Sequence, residues 1–303
     1  MKTVKLSATL FAFVAAILYA INVPISKLLL DDVGPVFMAS FLYLGAGIGM
    51  GLIYLLFAKK SKSKRENLSK SDLPYTIGMI VLDIVAPIFL MIGLKTANSA
   101  TASLLSNSEI VVTTIIALVI FKEFVSKRLW VAIALITISS ILLTVDDFSN
   151  LQLSYGAAFV VLACTCWGFE NNCTRMLASK NTYEIVVIKG LCSGAGSFIV
   201  ALVINETLPS MIHIGVTLIL GFVAFGLSIF FYIKAQDVLG ASKTSAYYAT
   251  SPFIGALVSF IIFKTGVSYT YIIASVIMIV GTVLVVRDTF NVNVGETRRK
   301  KDV

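Results

Sequence analysis

The sequence predicts an all-α integral membrane protein of ten transmembrane helices, built as two inverted five-helix repeats with both termini on the cytoplasmic side. Three observations carry that prediction: the composition, the spacing of the apolar runs, and a likeness between the two halves of the chain. Of the 303 residues 58% are hydrophobic and only 13% charged, with a positive mean hydropathy, outside the range of a water-soluble domain. A hydrocarbon core about 30 Å thick takes roughly 20 apolar residues of helix to cross. Ten runs of about that length follow one another, near 6–29, 36–57, 74–95, 100–121, 128–145, 155–177, 183–204, 213–233, 243–263 and 269–287.

The first run follows Met1-Lys2-Thr3-Val4-Lys5, as a secretion signal would. It is longer than a typical signal core and continues through Pro24 and Lys27, so it reads as a retained helix. The linkers are short, and the extended polar segments, 58–73 and 288–303, are rich in Lys and Arg. Of the 24 Lys and Arg residues, 20 fall at alternate ends of the runs, while Lys95 and Lys264 fall at the opposite ends. The positive-inside rule then puts both termini in the cytoplasm. The basic excess reports orientation, with attraction to anionic lipid at 59–65 and 298–301, and needs no nucleic acid. Cys164, Cys166, Cys173 and Cys192 lack zinc-site spacing and read as small buried thiols, so no metal or cofactor is expected.

The division falls into a first repeat at 1–150, a second at 151–290 and a basic cytoplasmic tail at 291–303. With an offset of 142, Ile120-Phe121-Lys122-Glu123 aligns with Ile262-Phe263-Lys264-Thr265, and Ser103 with Ser245. With an offset of 148, Tyr19, Asn22 and Lys27 meet Trp167, Glu170 and Arg175. Separately, the cluster Gly45-Ala46-Gly47 of the second span recurs as Gly194-Ala195-Gly196 in the seventh. Five spans per half is an odd number, so the second half enters the membrane upside down relative to the first. Inverted repeats suit secondary transporters, because equivalent halves can exchange inward-open and outward-open shapes around a central site.

The chain resembles the drug/metabolite transporter superfamily of EamA type over about 6–287, through Trp167-Gly168 and the fourth-span pattern of 104–123 repeated at 247–265. The resemblance implies ten helices in two repeats, in a plasma membrane such as a bacterial inner membrane, and transport of amino acids, drugs or related metabolites. The segment Trp167-Gly168-Phe169-Glu170 is similar to that of choline-transporting members. The chain departs from the family pattern at Ile110, where the second half keeps Pro252, and at Thr265, where the first half keeps Glu123.

Polar residues inside the spans mark the candidate site. Tyr19, Asn22 and Ser26 share one helical face, as do Trp167, Glu170 and Thr174. Glu170 lies about two turns from the cytoplasmic interface and Glu109 near the midplane, reckoning roughly 1.5 Å per residue. An ionisable group at such depth costs about 2.5–3.5 kcal/mol or more and normally faces a cavity or a partner. Glu170 and Glu109 are therefore the candidates for substrate binding and proton coupling, with Lys27, Lys189 or each other as structural partners if they merely hold the bundle. Asp83 reads equally well as a polar knot beside the Pro87 kink. Tyr247, Tyr248 and Ser251 occupy the places of Leu105, Ser106 and Glu109, and aromatic rings opposite a carboxylate suit an organic cation. His213, near the outer surface, receives no role.

These observations point to a secondary transporter that moves a small polar metabolite (amino acid, amine or quaternary ammonium) by alternating access, coupled to protons or to exchange. It is not expected to be an enzyme. A GxxxxGK[ST] phosphate loop is absent. The alternatives are an intramembrane enzyme acting on a lipid or isoprenoid, against which no His-Glu-x-x-His or nucleophile–base pair is present, and a non-transporting scaffold or sensor. The expected partners are a small-molecule substrate and the bilayer. The glycine faces of the second and seventh spans leave packing within one chain or in a homodimer open.

Overall fold

A computed structural model describes residues 2–58, 66–121, 126–147, 152–177, 180–239, 244 and 247–299. The first half runs α1 (Lys2–Ala20), α2 (Asn22–Leu29), α3 (Pro35–Ile53), α4 (Leu73–Thr96), α5 (Ser99–Leu105), α6 (Ser108–Phe121) and α7 (Lys127–Thr144). The second runs α8 (Tyr155–Met176), α9 (Thr182–Val203), α10 (Met211–Gly221), α11 (Ser228–Leu239), α12 (Ser251–Phe263) and α13 (Tyr269–Arg299). Two short strands, Val145–Asp147 and Gln152–Leu153, pair antiparallel between the halves. Glu123, Ser245 and the basic stretch 59–65 lie outside the described residues.

Among the described residues, eight segments are long and apolar enough to cross a membrane. The protein is therefore a multi-pass, all-helical membrane protein apart from that hairpin. Two other helices stand where the sequence puts the sixth and ninth spans. One is α8, whose Glu170, Asn171, Asn172 and Arg175 lower its hydropathy, and the other is α12, an apolar helix of 13 residues. The last helix does not stop at the membrane edge expected near 287 but continues through the basic stretch to Arg299.

Equivalent helices of the two halves lie against one another and run antiparallel. On α3 and α9, Ser40 donates to the Gly194 carbonyl at 2.8 Å, while a side chain on Gly47 would strike Gly190 and Leu191. Rising numbers on one helix meet falling numbers on the other. The same holds for α5 and α12, where the Ser99 and Ser259 hydroxyls are 2.8 Å apart and a Cβ on Gly255 would press on Ser103. It holds again for α7 and α13, where Ser139 donates to the Ala274 carbonyl at 2.7 Å and Gly281 meets Ile136. Other contacts are reciprocal as well: α4 packs on α8 as α11 packs on α1, and α6 on α8 as α12 on α1. This is the packing of a duplication inverted about an axis in the membrane plane. Glycine at the α3–α9 crossing lets the backbones approach, which suits a setting where close packing rather than the hydrophobic effect drives helix association.

The loops repeat the reciprocity. The N-cap of α3 is Gly34, which has no side chain to cap with, and Glu206 from beyond α9 accepts the N–H groups of Val36 (3.2 Å) and Phe37 (2.6 Å) instead. Asn205 adopts the left-handed conformation (φ 55°) that ends α9 and turns the chain toward α3. At the other face the segment after α3 embraces the start of α9. There Lys180 stands 3.2 Å from Glu66 and 3.3 Å from Asp72, Glu184 accepts the Leu68 N–H at 3.0 Å, and the Asn181 N–H reaches the Glu66 carbonyl at 2.8 Å. Its hydrogen bond to Glu66 raises the Lys180 pKa.

Candidate functional site

Several helices break or deform well inside the bundle. The first span divides at Ile21, between α1 and α2, with Pro24 unable to donate to the Ala20 carbonyl. The fourth divides at Ser106–Asn107, between α5 and α6. In the ninth, α12 begins at Ser251 with Pro252 in its first turn. Between α10 and α11 the backbone widens into a π-helix over Phe222–Leu227. Freed backbone groups at membrane depth are tolerated where they are buried in protein or line a cavity. Around the α5–α12 crossing, Ser103 Oγ, Asn107 Nδ2 and Ser251 Oγ are buried without a hydrogen-bond partner among the described residues.

Beside these breaks lies a group of buried charges. Lys189 of α9 contacts Asp83 of α4 at 3.1 Å and Glu170 of α8 at 3.0 Å. Asp83 is fully enclosed and its Oδ1 accepts the Tyr43 hydroxyl of α3 at 2.9 Å, while Thr174 donates to Glu170 one turn along α8. Four helices thus converge on one ion triad. Lys27, at the end of α2, turns away from it and donates to the Leu94 and Lys95 carbonyls at 2.7 and 2.8 Å, where a cation complements the C-terminus of α4.

Glu109 is placed differently. It sits in the first turn of α6 and accepts a hydrogen bond from the Asn171 amide of α8, which also reaches Thr113 at 3.3 Å. No described residue forms a salt bridge with it. It keeps accessible surface, as do Tyr19 and Tyr248. These two tyrosines are ring neighbours at 5.4 Å, and the aromatic series continues from Tyr248 to Tyr232 (5.2 Å), from Tyr19 to Phe225 (5.7 Å) and from Phe225 to Tyr43 (5.5 Å). A wall of rings therefore runs from the segment just before α12 to the tyrosine that touches Asp83. Glu109 lies within electrostatic reach of both Tyr19 and Tyr248.

The sequence profile of the EamA-like transporter family matches residues 6–145 and, a second time, 154–287. The chain belongs to the EamA-like transporter family. It is similar to an uncharacterized transporter of Methanothermobacter thermautotrophicus, 26% identical over 288 residues, with 88% of this chain and 82% of that protein covered. It is also similar to the uncharacterized transporter YyaM of Bacillus subtilis, 24% identical over 246 residues, with 78% and 80% covered. A solved structure aligns with 92% of the chain and 95% of its own length at a TM-score of 0.65 and 16% identity, a likeness of fold.

Within this EamA-like chain, the structure brings Tyr19, Tyr248 and Glu109 to one neighbourhood and puts Trp167 and Glu170 on one buried face of α8. Asn22 is buried one turn from Ser26, whose hydroxyl it accepts at 3.1 Å, and Ser251 lies at the α5–α12 crossing. Tyr247 points elsewhere: its ring stands 4.8 Å from that of Phe13, whose side chain is exposed, apart from the Tyr19–Tyr248 series. Glu170 is not an open carboxylate, because Lys189 already neutralises it. Asp83 is not a local knot at Pro87 but part of that ion cluster, and α4 runs unbroken through the proline. Lys189 stood out in the sequence only as a partner for the glutamates, although its place mid-span carries the same signal as theirs. Tyr43 gave no signal at all. His213 lies 3.5 Å from Asp32, and Cys192 is exposed rather than buried.

Proposed function

We propose that the chain is a secondary transporter of a small organic amine, such as an amino acid, a primary amine or a quaternary ammonium compound, with Glu109 as the carboxylate that receives the positive charge. The observation that carries this reading is the contrast between the buried acids. Asp83 and Glu170 share Lys189 in contact, whereas Glu109 accepts from the neutral amide of Asn171 and lies within electrostatic reach of Tyr19 and Tyr248. A carboxylate beside aromatic faces offers a cation both charge and quadrupole attraction, the latter about 2 kcal/mol or more when desolvated. Asn22, Trp167 and Ser251 complete the surroundings, and the unpartnered Ser103, Asn107 and Ser251 groups offer hydrogen bonds to the polar end of a metabolite.

On this reading the protein crosses the plasma membrane ten times, α8 and α12 included, with both termini in the cytoplasm and its halves at 1–150 and 151–290 exchanging shape. Transport draws on a gradient of protons or counter-substrate, and Glu109 and Glu170 are carboxylates able to carry a proton. The test is a thermal-shift screen of the purified protein with amines, amino acids and quaternary ammonium compounds, followed by uptake into proteoliposomes. A ligand at 100 times its Kd stabilises the fold by about 2.7 kcal/mol. Glu109→Gln is expected to abolish both the shift and the uptake, and Tyr248→Ala to weaken binding roughly tenfold or more. Retention of parent binding and uptake in Glu109→Gln would overturn the assignment.

A further inference from the structure

Two carboxylates share one ammonium inside the bundle, and that imbalance points to a proton. With all three groups ionised, Asp83, Lys189 and Glu170 carry a net single negative charge. Among the described residues, the titratable groups facing it are Tyr43 of α3, Glu109 of α6, Cys173 of α8 and Tyr19 of α1, with Tyr248 farther off, and none of these is a cation. An uncompensated charge in a low-dielectric interior is costly. The two acids are also held unequally. Each accepts one hydroxyl, Asp83 Oδ1 from Tyr43 and Glu170 Oε1 from Thr174, and each lies near Lys189, at 3.1 and 3.0 Å, but the buried Asp83 Oδ2 has no hydrogen-bond partner among the described residues.

The contact also crosses the boundary between the halves. Asp83 and Tyr43 belong to the first half, Lys189 and Glu170 to the second. We propose that the Asp83–Lys189–Glu170 triad is a proton-binding site that sets how tightly the two halves hold each other. Ionised Asp83 keeps Lys189 shared across the boundary. When the Asp83 carboxylate takes one proton from the solvent to become a carboxylic acid, Lys189 pairs with Glu170 alone, inside the second half, and the ionic tie between α4 and α9 is lost, leaving the Ser193 hydrogen bond to the Ile80 carbonyl and the packing of Gly196 on Ile84. This rests on the transport reading for its purpose and deepens it by naming Asp83 as the carrier of the coupling proton.

Trp167, which shares a helix face with Glu170 and neighbours Tyr43, is a built-in reporter. The experiment follows Trp167 emission in Trp130→Phe protein, reconstituted in lipid nanodiscs without substrate, as pH is varied. The expected result is one step within the accessible range, lost in Asp83→Asn and retained in Glu109→Gln. A step unaffected by Asp83→Asn, a step lost in Glu109→Gln, or no step in the folded parent overturns the proposal. Should Asp83→Asn fail to fold, Tyr43→Phe serves: losing a donor to the ionised carboxylate moves the midpoint upward by about one pH unit, and an unmoved midpoint overturns the proposal. Because no substrate is present, a protein that transports no amine can still show the step, and one without the step can still bind an amine at Glu109.

Discussion

Lys189 is the residue on which the buried charge converges. Removing one partner of a buried ionic cluster leaves the others uncompensated, at a cost of about 3–5 kcal/mol. Lys189→Met is therefore expected to lower the unfolding midpoint in mixed micelles markedly, and Lys189→Met combined with Asp83→Asn and Glu170→Gln to recover much of the loss. Equal loss in the triple variant would mean that the lysine stem, not its charge, holds the site. At this scale the sequence was informative about chemistry and only partly about pairing: it offered Lys189 among the partners of the glutamates but not as a partner of Asp83. Glu109 and Glu170 announce themselves, because an ionisable group mid-span is expensive. That Lys189 reaches Asp83 rather than a nearer neighbour in sequence depends on α4, α8 and α9 meeting, and single-chain hydropathy does not encode which helices touch. Tyr43 is invisible for another reason: a tyrosine in an apolar helix is ordinary until its hydroxyl is seen on a carboxylate.

Among the elements, the helices follow from long apolar runs, but their interruptions are only partly legible. Pro24 and Pro252 mark two breaks through the hydrogen bond each removes. The division at Ser106–Asn107 has no proline and the π-helix at Phe222–Leu227 has no local signature, since both depend on what packs against them. Helix ends show the same division. The left-handed Asn205 is a residue type suited to that conformation, yet its consequence, Glu206 on the first N–H groups of α3, joins positions 170 residues apart. Glu206→Gln keeps the shape and removes the charge, so it is expected to destabilise the fold by roughly 0.5–1 kcal/mol, read from thermal unfolding. Gly190→Leu is a harsher test of the α3–α9 crossing: its side chain would overlap Gly47 and the Tyr43 carbonyl, and it is expected to abolish folded protein in detergent, whereas Gly215→Leu, in open space, is expected to be tolerated.

For the whole molecule, the duplication was legible in the matching segments of the two halves, and the structure shows the equivalent helices α3 with α9, α5 with α12 and α7 with α13 packed antiparallel. Glu66→Cys with Lys180→Cys, in a background with Cys192→Ser, tests the cytoplasmic closure that the proposed topology implies. Oxidation is expected to stop transport reversibly while a substrate added from the outer side still binds; unimpaired transport by the cross-linked protein would rule this contact out as a moving part. The duplication also exposes how far the halves have diverged. Glu109 corresponds to Ser251, Glu170 to Asn22 and, by the glycine alignment, Lys189 to Ser40. The acids and the lysine gather on α4, α6, α8 and α9, while the rings of Tyr19, Tyr43, Phe225, Tyr232 and Tyr248 gather on their counterparts. Under alternating access, then, the exchange of shapes is not an exchange between equals. If the two exchange shape as proposed, a voltage across the membrane would do unequal work on a lobe that holds the Asp83–Lys189–Glu170 charges and one that holds the aromatic series.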